Sequence, residues 1–477
     1  MTDQSLALWT ATEIAAATGG RVLTDFVASG VAIDSRTVAP DDLFVALEGP
    51  NNDAHRFVAA ALQAGAAGAI VARIPEGLGE AAPLVVVADT QAALEALGRA
   101  ARHRVGAKVI AVTGSVGKTS TKDALAHCLA LQGATHASAA SYNNLWGVPL
   151  TLARMPQDTD FGVFEIGMNH AGEIVPLVAQ VEPQVAMITT VEAAHLGNFR
   201  DESGIADAKA EIMTGLQPGG TVVLNRDNRW FDHLLGHARR LGIARIVSFG
   251  LDAVADVRAV SYELQADGSD VEASIHGRRL RFRVGVAGLH WVRNALGVLA
   301  AIEAAGADVD RAAAALAGIG PSKGRGQRFT LPVAGGDFTL IDDSYNANPV
   351  SMRAGLAVVG ALPVKGRRIL VLGDMLELGE DGERLHVGLA PDVVAAGADL
   401  VYTTGPLMQA LNRALPPERR GDHAATSADL VDSVLRAIGP GDVVFVKGSL
   451  GSRMGRIVDA LKALAHTDPN TPAGRKD

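Results

Sequence analysis

Little in this chain would direct it out of a cell or onto a nucleic acid. Its 477 residues include one cysteine, Cys128, so no internal disulfide can form. The apolar helical stretch around Cys128 reads as a buried, inert thiol. No block of Lys and Arg answers the phosphates of a nucleic acid, and a formal charge of −9 opposes such a partner. No apolar run reaches the roughly 18 residues that cross a membrane. The opening "MTDQSLALWTATEIAAATGG" lacks the basic start of a signal peptide, and Thr10 with Glu13 instead makes a capping box for an ordinary helix. No short-period repeat recurs. These absences lead us to expect a cytoplasmic protein with no nucleic-acid partner and no membrane insertion; a monomer is expected, though nothing in the sequence fixes the oligomeric state.

What is present is a globular balance, 48% hydrophobic and 20% charged, in a chain too long for one core. Over the first hundred residues, "DLFVAL", "RFVAAALQAGAAGAIVA" and "PLVVVAD" alternate strands with Ala-rich helices. From "KVIAVTG" onward come "FGVFEIG", "VAMITTV", "TVVLN" and "ARIVSFG". Near-continuous apolar runs separated by helices indicate a parallel sheet covered on both faces. Residues 254–287 alternate polar and apolar positions and suggest an antiparallel flap, and "NALGVLAAIEAAG" closes the block. A third block holds "FTLIDDSY", "RILVLGD", "DLVYTTG" and "DVVFVKGS". The expected fold is α/β with three domains. A small N-terminal α/β domain spans 1–106, a central doubly wound parallel sheet 107–328, and a C-terminal Rossmann-like domain 329–477.

The stretch "IAVTGSVGKTSTKDAL" joins a strand to a helix through a glycine loop. A common phosphate loop has four residues between its first glycine and the Gly-Lys pair; here two separate Gly114 from Gly117. Backbone N–H groups at a helix N-terminus attract anions. Thr113, Gly114, Ser115, Val116, Gly117, Lys118, Thr119 and Ser120 therefore form a candidate phosphate cradle. Lys118 can neutralise the β- and γ-phosphates, and the Thr119 hydroxyl can ligate Mg²⁺. The competing reading is a capped strand–helix turn.

Glu165 falls towards the end of an apolar strand, where a carboxylate is expensive unless paired or metal-bound. His195 follows the end of another. Ligands gather at such carboxyl ends, so Glu165 and His195 can converge on the loop, and beside Lys118 and Thr119 a metal role is favoured over a structural ion pair. Lys209, flanked by Asp207 and Glu211, reads on spacing alone as a solvated lysine.

Taken together, several motifs resemble the Mur ligase family across nearly the whole chain. They are "GSVGKT" (114–119), "YNNLWGVP" (142–149), "EIGMNHAGEI" (165–174), "AHL" (194–196) and "AKAEI" (208–212). Later come "DDSYNANPVSM" (342–352), "LGDMLELG" (372–379) and "VKGS" (446–449), and "AIDSRTVAPDDLFVALEGPNNDAHRF" (32–57) lies near the start. The later motifs look like those of the branch that adds a D-alanyl-D-alanine dipeptide. The resemblance implies an ATP-dependent amide-forming ligase of cell-wall precursor synthesis. It would act on UDP-N-acetylmuramoyl-tripeptide and D-alanyl-D-alanine through an acyl phosphate. Its first domain would bind the muramoyl substrate, its second ATP and its third the dipeptide.

Site roles follow from the same resemblance. Thr119 and Glu165 would hold one Mg²⁺, and His195 a second with Lys209, which family members carbamylate. Lys118, Lys209, His195 and Asn346 would be catalytic. Asn294 would contact the nucleotide base or ribose, although Trp291 stands where the family pattern His-Asn-x-x-Asn has its first Asn, as core or against the base. Arg325, with Arg328 beside it, is a solvated linker residue or a phosphate ligand after domain closure. Asp343 would meet the ribose, while Asn346 and Asn348 line the closed cleft. Asn348 followed by Pro349 is also a good helix start. Ser35 and Arg36 touch the uridine diphosphate or form a surface turn. Asn143, Asn144, Asn169 and His170 mark the muramoyl-peptide path, and Lys447 and Ser449 the dipeptide carboxylate. Two other readings remain: another ligase of the superfamily, such as a folylpolyglutamate synthase or the enzyme adding the third peptide residue, and a switch that hydrolyses ATP alone. Absence of an Asp-Asn-Pro-Arg motif disfavours the third-residue enzyme, and the extra end domains disfavour the switch.

Overall fold

The computed structural model describes residues 7–49, 52–139, 141–193 and 196–467. Their strands fall mainly into three sheets, and the chain is α/β with three domains. The first sheet has five strands, with Gly30–Ala32, Asp42–Val45, Gly68–Val71 and Leu84–Val86 parallel and Arg21–Val22 antiparallel at its edge. Helix Ala11–Thr18 leads into it. Its start is the predicted capping box, with Thr10 N donating to Glu13 Oε2 (2.8 Å) and Glu13 N donating to Thr10 Oγ1 (3.2 Å).

The central sheet has nine strands. Strand Lys108–Thr113 lies between parallel neighbours Phe161–Glu165 and Val185–Ile188, and Thr221–Asn225 and Arg245–Gly250 follow outward. After Lys108–Thr113 the chain first builds strands on one side, then crosses back to the other. Strand order therefore reverses at Lys108–Thr113, and an open α/β sheet leaves its ligand crevice at such a switch point. Side chains alternate along the strand. Ile110 and Val112 pack under helices Lys118–Ala130 and Leu289–Ala304, while Val109 and Ala111 pack under Gly147–Ala153 and Ile174–Val181. Cys128 is fully buried in the first of these layers, and burial pushes its thiol up to about 12, so it is inert as expected.

The segment expected to be antiparallel over 254–287 is so, and it continues the central sheet. Strand Val257–Leu264 joins Arg245–Gly250 in parallel through Phe249 and Gly250, and Ser269–Ile275 and Arg278–Val284 extend the same sheet antiparallel. Its inner residues Val271, Ala273 and Phe282 need the cover of helix Leu289–Ala304, which holds the segment in the central core.

The third sheet has six strands. A hairpin, Gln327–Val333 and Gly336–Asp343, starts just ahead of the boundary drawn at 329. Parallel strands Val443–Lys447, Arg368–Gly373, Leu400–Thr404 and Arg420–Ala424 complete it. Asp343 and Lys447 are register partners at adjacent strand ends. Among the described residues no helix is long and apolar enough to cross a membrane.

The two outer domains attach differently. Helix Thr90–His103 lies directly on Gly147–Ala153, and a Cβ on Gly98 would meet the Pro149 carbonyl oxygen at 3.1 Å. Leu150 and Ala153 complete the core of the first sheet with Leu94, Leu97 and Ala101. Trp9 Nε1 donates to the Ala153 carbonyl (2.7 Å), and the Arg104 guanidinium lies 3.8 Å over the Trp9 ring. The third domain follows a polar connector in which Ser322 bonds Asp123 and Tyr345 N donates to the Gly324 carbonyl at 3.0 Å.

Candidate active site

The glycine loop leaves strand Lys108–Thr113 and enters helix Lys118–Ala130. Its tightness has a local cause: the loop is stitched to the chain beyond Val185–Ile188. The Thr189 hydroxyl donates to the Val116 carbonyl (2.6 Å), and Ser115 N donates to the Thr190 carbonyl (2.8 Å). Ser115 Oγ donates to the Glu192 carbonyl and accepts from Glu192 N, both at 3.0 Å. Gly114, at φ 148°, is required here, because a Cβ would stand 2.0 Å from Thr189 Oγ1. Thr113 Oγ1 donates to the Ile166 carbonyl (2.8 Å), so Thr113 and Gly114 lie beneath the cradle while Ser115 through Ser120 face the cleft.

Lys118 Nζ folds over the loop onto the Gly114 carbonyl at 2.8 Å. Burial pulls this amine below its ordinary range, and the negative charge of Glu165 opposes the shift. Glu165 ends its strand with 1% exposure. Its Oε1 accepts from Asn143 Nδ2 at 2.6 Å, but its buried Oε2 has no hydrogen-bond partner. Thr119 Oγ1 accepts from Arg325 at 3.1 Å and lies 3.3 Å from Ser141 Oγ. An orphaned carboxylate oxygen is costly in a protein interior. An oxygen-seeking cation suits this hydroxyl and carboxylate set.

Lys209 also departs from the solvated reading. It lies on helix Glu202–Ala210 with 1% exposure, and its amine has no hydrogen-bond partner. Burial, reinforced by the charge of Lys118, holds it well below the usual lysine range against the pull of Glu211, Glu165 and Glu173. Such surroundings shift the amine towards its uncharged, nucleophilic form. The two neighbouring carboxylates brace loops: Glu211 accepts from Gly172 N (2.7 Å), and Glu173 accepts from Asn169 N (2.7 Å) and contacts His170 Nδ1 (3.0 Å).

The cleft beyond the loop encloses about 930 Å³ between the second and third domains. Asn143, Glu165, Asn169, Asn294, Arg325, Asp343, Asn346, Asn348 and Lys447 border it with the loop. Asn294 lies directly beside Gly117. Arg325 stacks on the Tyr345 ring at 4.6 Å. The Asp343 carboxylate pairs with Lys447 Nζ at 2.7 Å, and Lys447 also donates to the Asn346 carbonyl at 2.9 Å. Burial pushes Asp343 up against the pull of that ammonium. His290 is held neutral, drawn down to about 4 by burial and by Lys447 and Arg293. Trp291, 5% exposed, packs in the central core with Val292, Ala295 and Leu296 while also bordering the cleft.

Other expected residues stand apart from this cleft or serve the fold within it. Arg36 folds back on Asp34 at 2.6 Å, holding that carboxyl down at about 2, and neither Ser35 nor Arg36 borders the cleft. Asn144 Oδ1 accepts from Gly147 N (2.9 Å) at the start of a helix. His170 lies outside the lining, and Ser449 Oγ donates to the Ala347 carbonyl (3.2 Å) and accepts from Leu376 N (3.0 Å). Asn348 is the predicted helix cap, its Oδ1 accepting from Ser351 N at 2.9 Å. Arg328 donates to the Ala266 carbonyl at 2.6 Å and borders the cleft. His195 lies outside the described residues.

Sequence reasoning passed over part of the floor. Asp227 borders the cleft with Asn225, Asn228 and Arg293, accepting from Leu251 N (2.8 Å) and Arg293 Nε (3.1 Å). Asn225 ends the strand "TVVLN", so the strand-end rule that found Glu165 also points here.

Residues 112–302 match the Mur ligase middle domain, and 324–450 match the Mur ligase glutamate ligase domain. The chain is 31% identical to the UDP-N-acetylmuramoyl-tripeptide–D-alanyl-D-alanine ligase of Rickettsia prowazekii, over 95% of this chain and 99% of that one. It is 35% identical to the Escherichia coli (strain K12) ligase of the same name, over 92% and 94%. The crystal structure of MurF from Acinetobacter baumannii superposes with a TM-score of 0.82 at 31% identity, covering 95% of this chain and 99% of the other. A tight glycine loop, a strand-end glutamate and a buried lysine thus occur in a chain alike in sequence and fold from end to end, and the protein belongs to the Mur ligase family.

Proposed function

We propose that this protein joins D-alanyl-D-alanine to UDP-N-acetylmuramoyl-tripeptide at the expense of ATP, in peptidoglycan precursor synthesis. The observation that carries this reading is the meeting of the glycine loop, the orphaned Glu165 oxygen and the Asp343–Lys447 pair around one interdomain cleft. A carboxylate is a poor electrophile. Its oxygen attacks the γ-phosphorus, ADP leaves, and an acyl phosphate forms. The dipeptide amine then attacks the acyl carbon, phosphate departs, and the amine proton passes to solvent.

The chain's part is alignment and charge neutralisation. The first turn of helix Lys118–Ala130 offers N–H groups to the phosphates, and Lys118 exchanges the Gly114 carbonyl for phosphate oxygen. Arg325 turns from Thr119 to the triphosphate, and Asn294 and Asp343 face base and ribose. Thr119 and Glu165 would hold one Mg²⁺, and His195 with a carbamylated Lys209 a second; such ions would supply positive charge against the phosphates. The partnerless amine of Lys209, its pKa drawn down by burial, supports carbamate formation, since only the uncharged form attacks carbon dioxide. Asn346 and Asn348 line the approach of the amine, and Lys447 and Ser449 lie towards the dipeptide carboxylate. Ser35 and Arg36 take the uridine diphosphate, and Asn143, Asn144, Asn169 and His170 the peptide path. In this scheme 1–106 binds the muramoyl substrate, 107–328 ATP and 329–477 the dipeptide.

The test is mass-resolved product formation from UDP-N-acetylmuramoyl-tripeptide, ATP and D-alanyl-D-alanine. One dipeptide-extended product per ADP is expected. Equal ATP hydrolysis with neither co-substrate present would instead mark a switch and overturn the ligase reading.

A further inference from the structure

Away from the cleft, one cluster of side chains has metal-ligating chemistry that the ligase reaction does not use. Helix Phe231–Arg240 carries His233 and His237, one turn apart on a single face. Helix Glu202–Ala210 presents Asp207 to them. Asp207 Oδ1 lies 2.7 Å from Nε2 of each ring, and the two Nε2 atoms are 3.3 Å apart. Among the described residues this is the one group of three or more His, Cys, Asp or Glu side chains with ligand atoms so close together.

Without a cation three ligand atoms already converge on one point. If both rings carry the proton on Nε2, two N–H groups crowd one oxygen with their dipoles side by side. If either lacks it, a nitrogen lone pair faces a carboxylate oxygen at 2.7 Å. A divalent ion removes the conflict, because both lone pairs and the anionic oxygen then point at positive charge. The nitrogen separation of 3.3 Å fits the edge of a tetrahedron with metal–nitrogen bonds of about 2.0 Å, and the Asp207 oxygen, 2.7 Å from each nitrogen, has to draw back by about 0.5 Å to complete it. The Trp230 ring stands edge-on to His233 at 5.6 Å and helps fix that imidazole. All three side chains keep solvent contact, with exposures of 53% for Asp207, 35% for His233 and 26% for His237, so an ion can enter and retain water in its fourth position.

We propose that Asp207, His233 and His237 form a surface site for a divalent cation of the zinc class, clipping helix Glu202–Ala210 to helix Phe231–Arg240. Two imidazoles and one carboxylate suit Zn²⁺, whereas Mg²⁺ seeks a nearly complete oxygen octahedron. The site shares a helix with Lys209 but no ligand with the cleft: Asp207 faces outward and Lys209 is buried. It stands independently of the ligase reading.

The test titrates Co²⁺, a spectroscopic substitute for Zn²⁺, into the tag-free full chain in excess Mg²⁺. One equivalent should bind with the intense visible bands of tetrahedral coordination, and Zn²⁺ should displace it. His233→Gln and His237→Gln should each weaken binding by roughly tenfold or more. Zn²⁺ should raise the Tm of the native chain and leave that of the double variant unmoved, while the variant's circular dichroism and zinc-free turnover match the native chain. Absence of tetrahedral bands, or a one-equivalent site that survives in the folded double variant, would overturn the proposal.

Discussion

Where the first domain meets the second, an apolar core shared by both, edged by polar bonds such as Trp9 to the Ala153 carbonyl, brings two helices to backbone distance at Gly98 and Pro149. Where the third meets the second, single polar bonds cross beside a cleft, Tyr345 N to the Gly324 carbonyl at 3.0 Å and Gly197 N to the Glu377 carbonyl at 3.4 Å, while Arg325 to Thr119 and Ser322 to Asp123 tie the connector down. Apolar burial stabilises in proportion to area and is lost on separation. Each polar bond contributes only about 0.5–1.5 kcal/mol net, because water replaces it readily. The molecule therefore concentrates cohesion at one junction and freedom to open at the other. The groups proposed for phosphate chemistry stand at the second, where closure can bring them together.

The harshest way to break this contrast is Lys209→Ala. Turnover should fall by roughly 10²–10³-fold or more, with partial rescue by a small carboxylate such as formate, and with less loss of Tm than a core truncation causes. Product assays with and without formate check it, and full activity in the alanine variant would remove the carbamate from the mechanism. Leu150→Ala attacks the other junction. It should cost about 2–5 kcal/mol in urea unfolding, as buried leucine truncations do, while kcat per folded molecule stays unchanged.

Arg325→Ala should be milder, lowering turnover by about tenfold through the lost contacts to Thr119 and Tyr345. In X-ray scattering the native protein should compact when ATP and the muramoyl substrate are both present, and the variant less so. Superimposable native profiles with and without ligands would count against a moving third domain.

The smallest effect concerns His290, whose pKa falls to about 4 in the fold. The unfolded chain takes up that proton near 6.5. Stability from this residue is therefore complete above about pH 6.5 and declines as pH falls towards 4, because the unfolded state binds the extra proton. Urea midpoints at pH 5 and 7.5 should differ less in His290→Gln than in the native chain, and Leu150→Ala should leave the difference intact.

Much of the fold was legible because parallel strands buried on both faces must be continuously apolar, as in Phe161–Glu165 and Val443–Lys447. The edge strand Arg420–Ala424 was not, since its half-exposed "RGDHA" carries no apolar signal. Glu165 was legible as a charge at the end of such a strand. Lys209 on spacing alone was misleading: Asp207 and Glu211 are adjacent in sequence but do not share its face, and its burial comes from tertiary packing. The same reason hid Asp227 and Arg293, which meet only when strand Thr221–Asn225 and helix Leu289–Ala304 come together. Ser35 and Arg36 belong to a turn that explains itself through Asp34.

The absence of a side chain at Gly98 has a further consequence. With two backbones in contact there, the first domain and the phosphate loop keep a fixed separation, like the closed jaw of a caliper. Under the proposed scheme, differences in the length of a bridging molecule fall to the opposite jaw, and tolerance for altered peptides should follow how far the third domain swings.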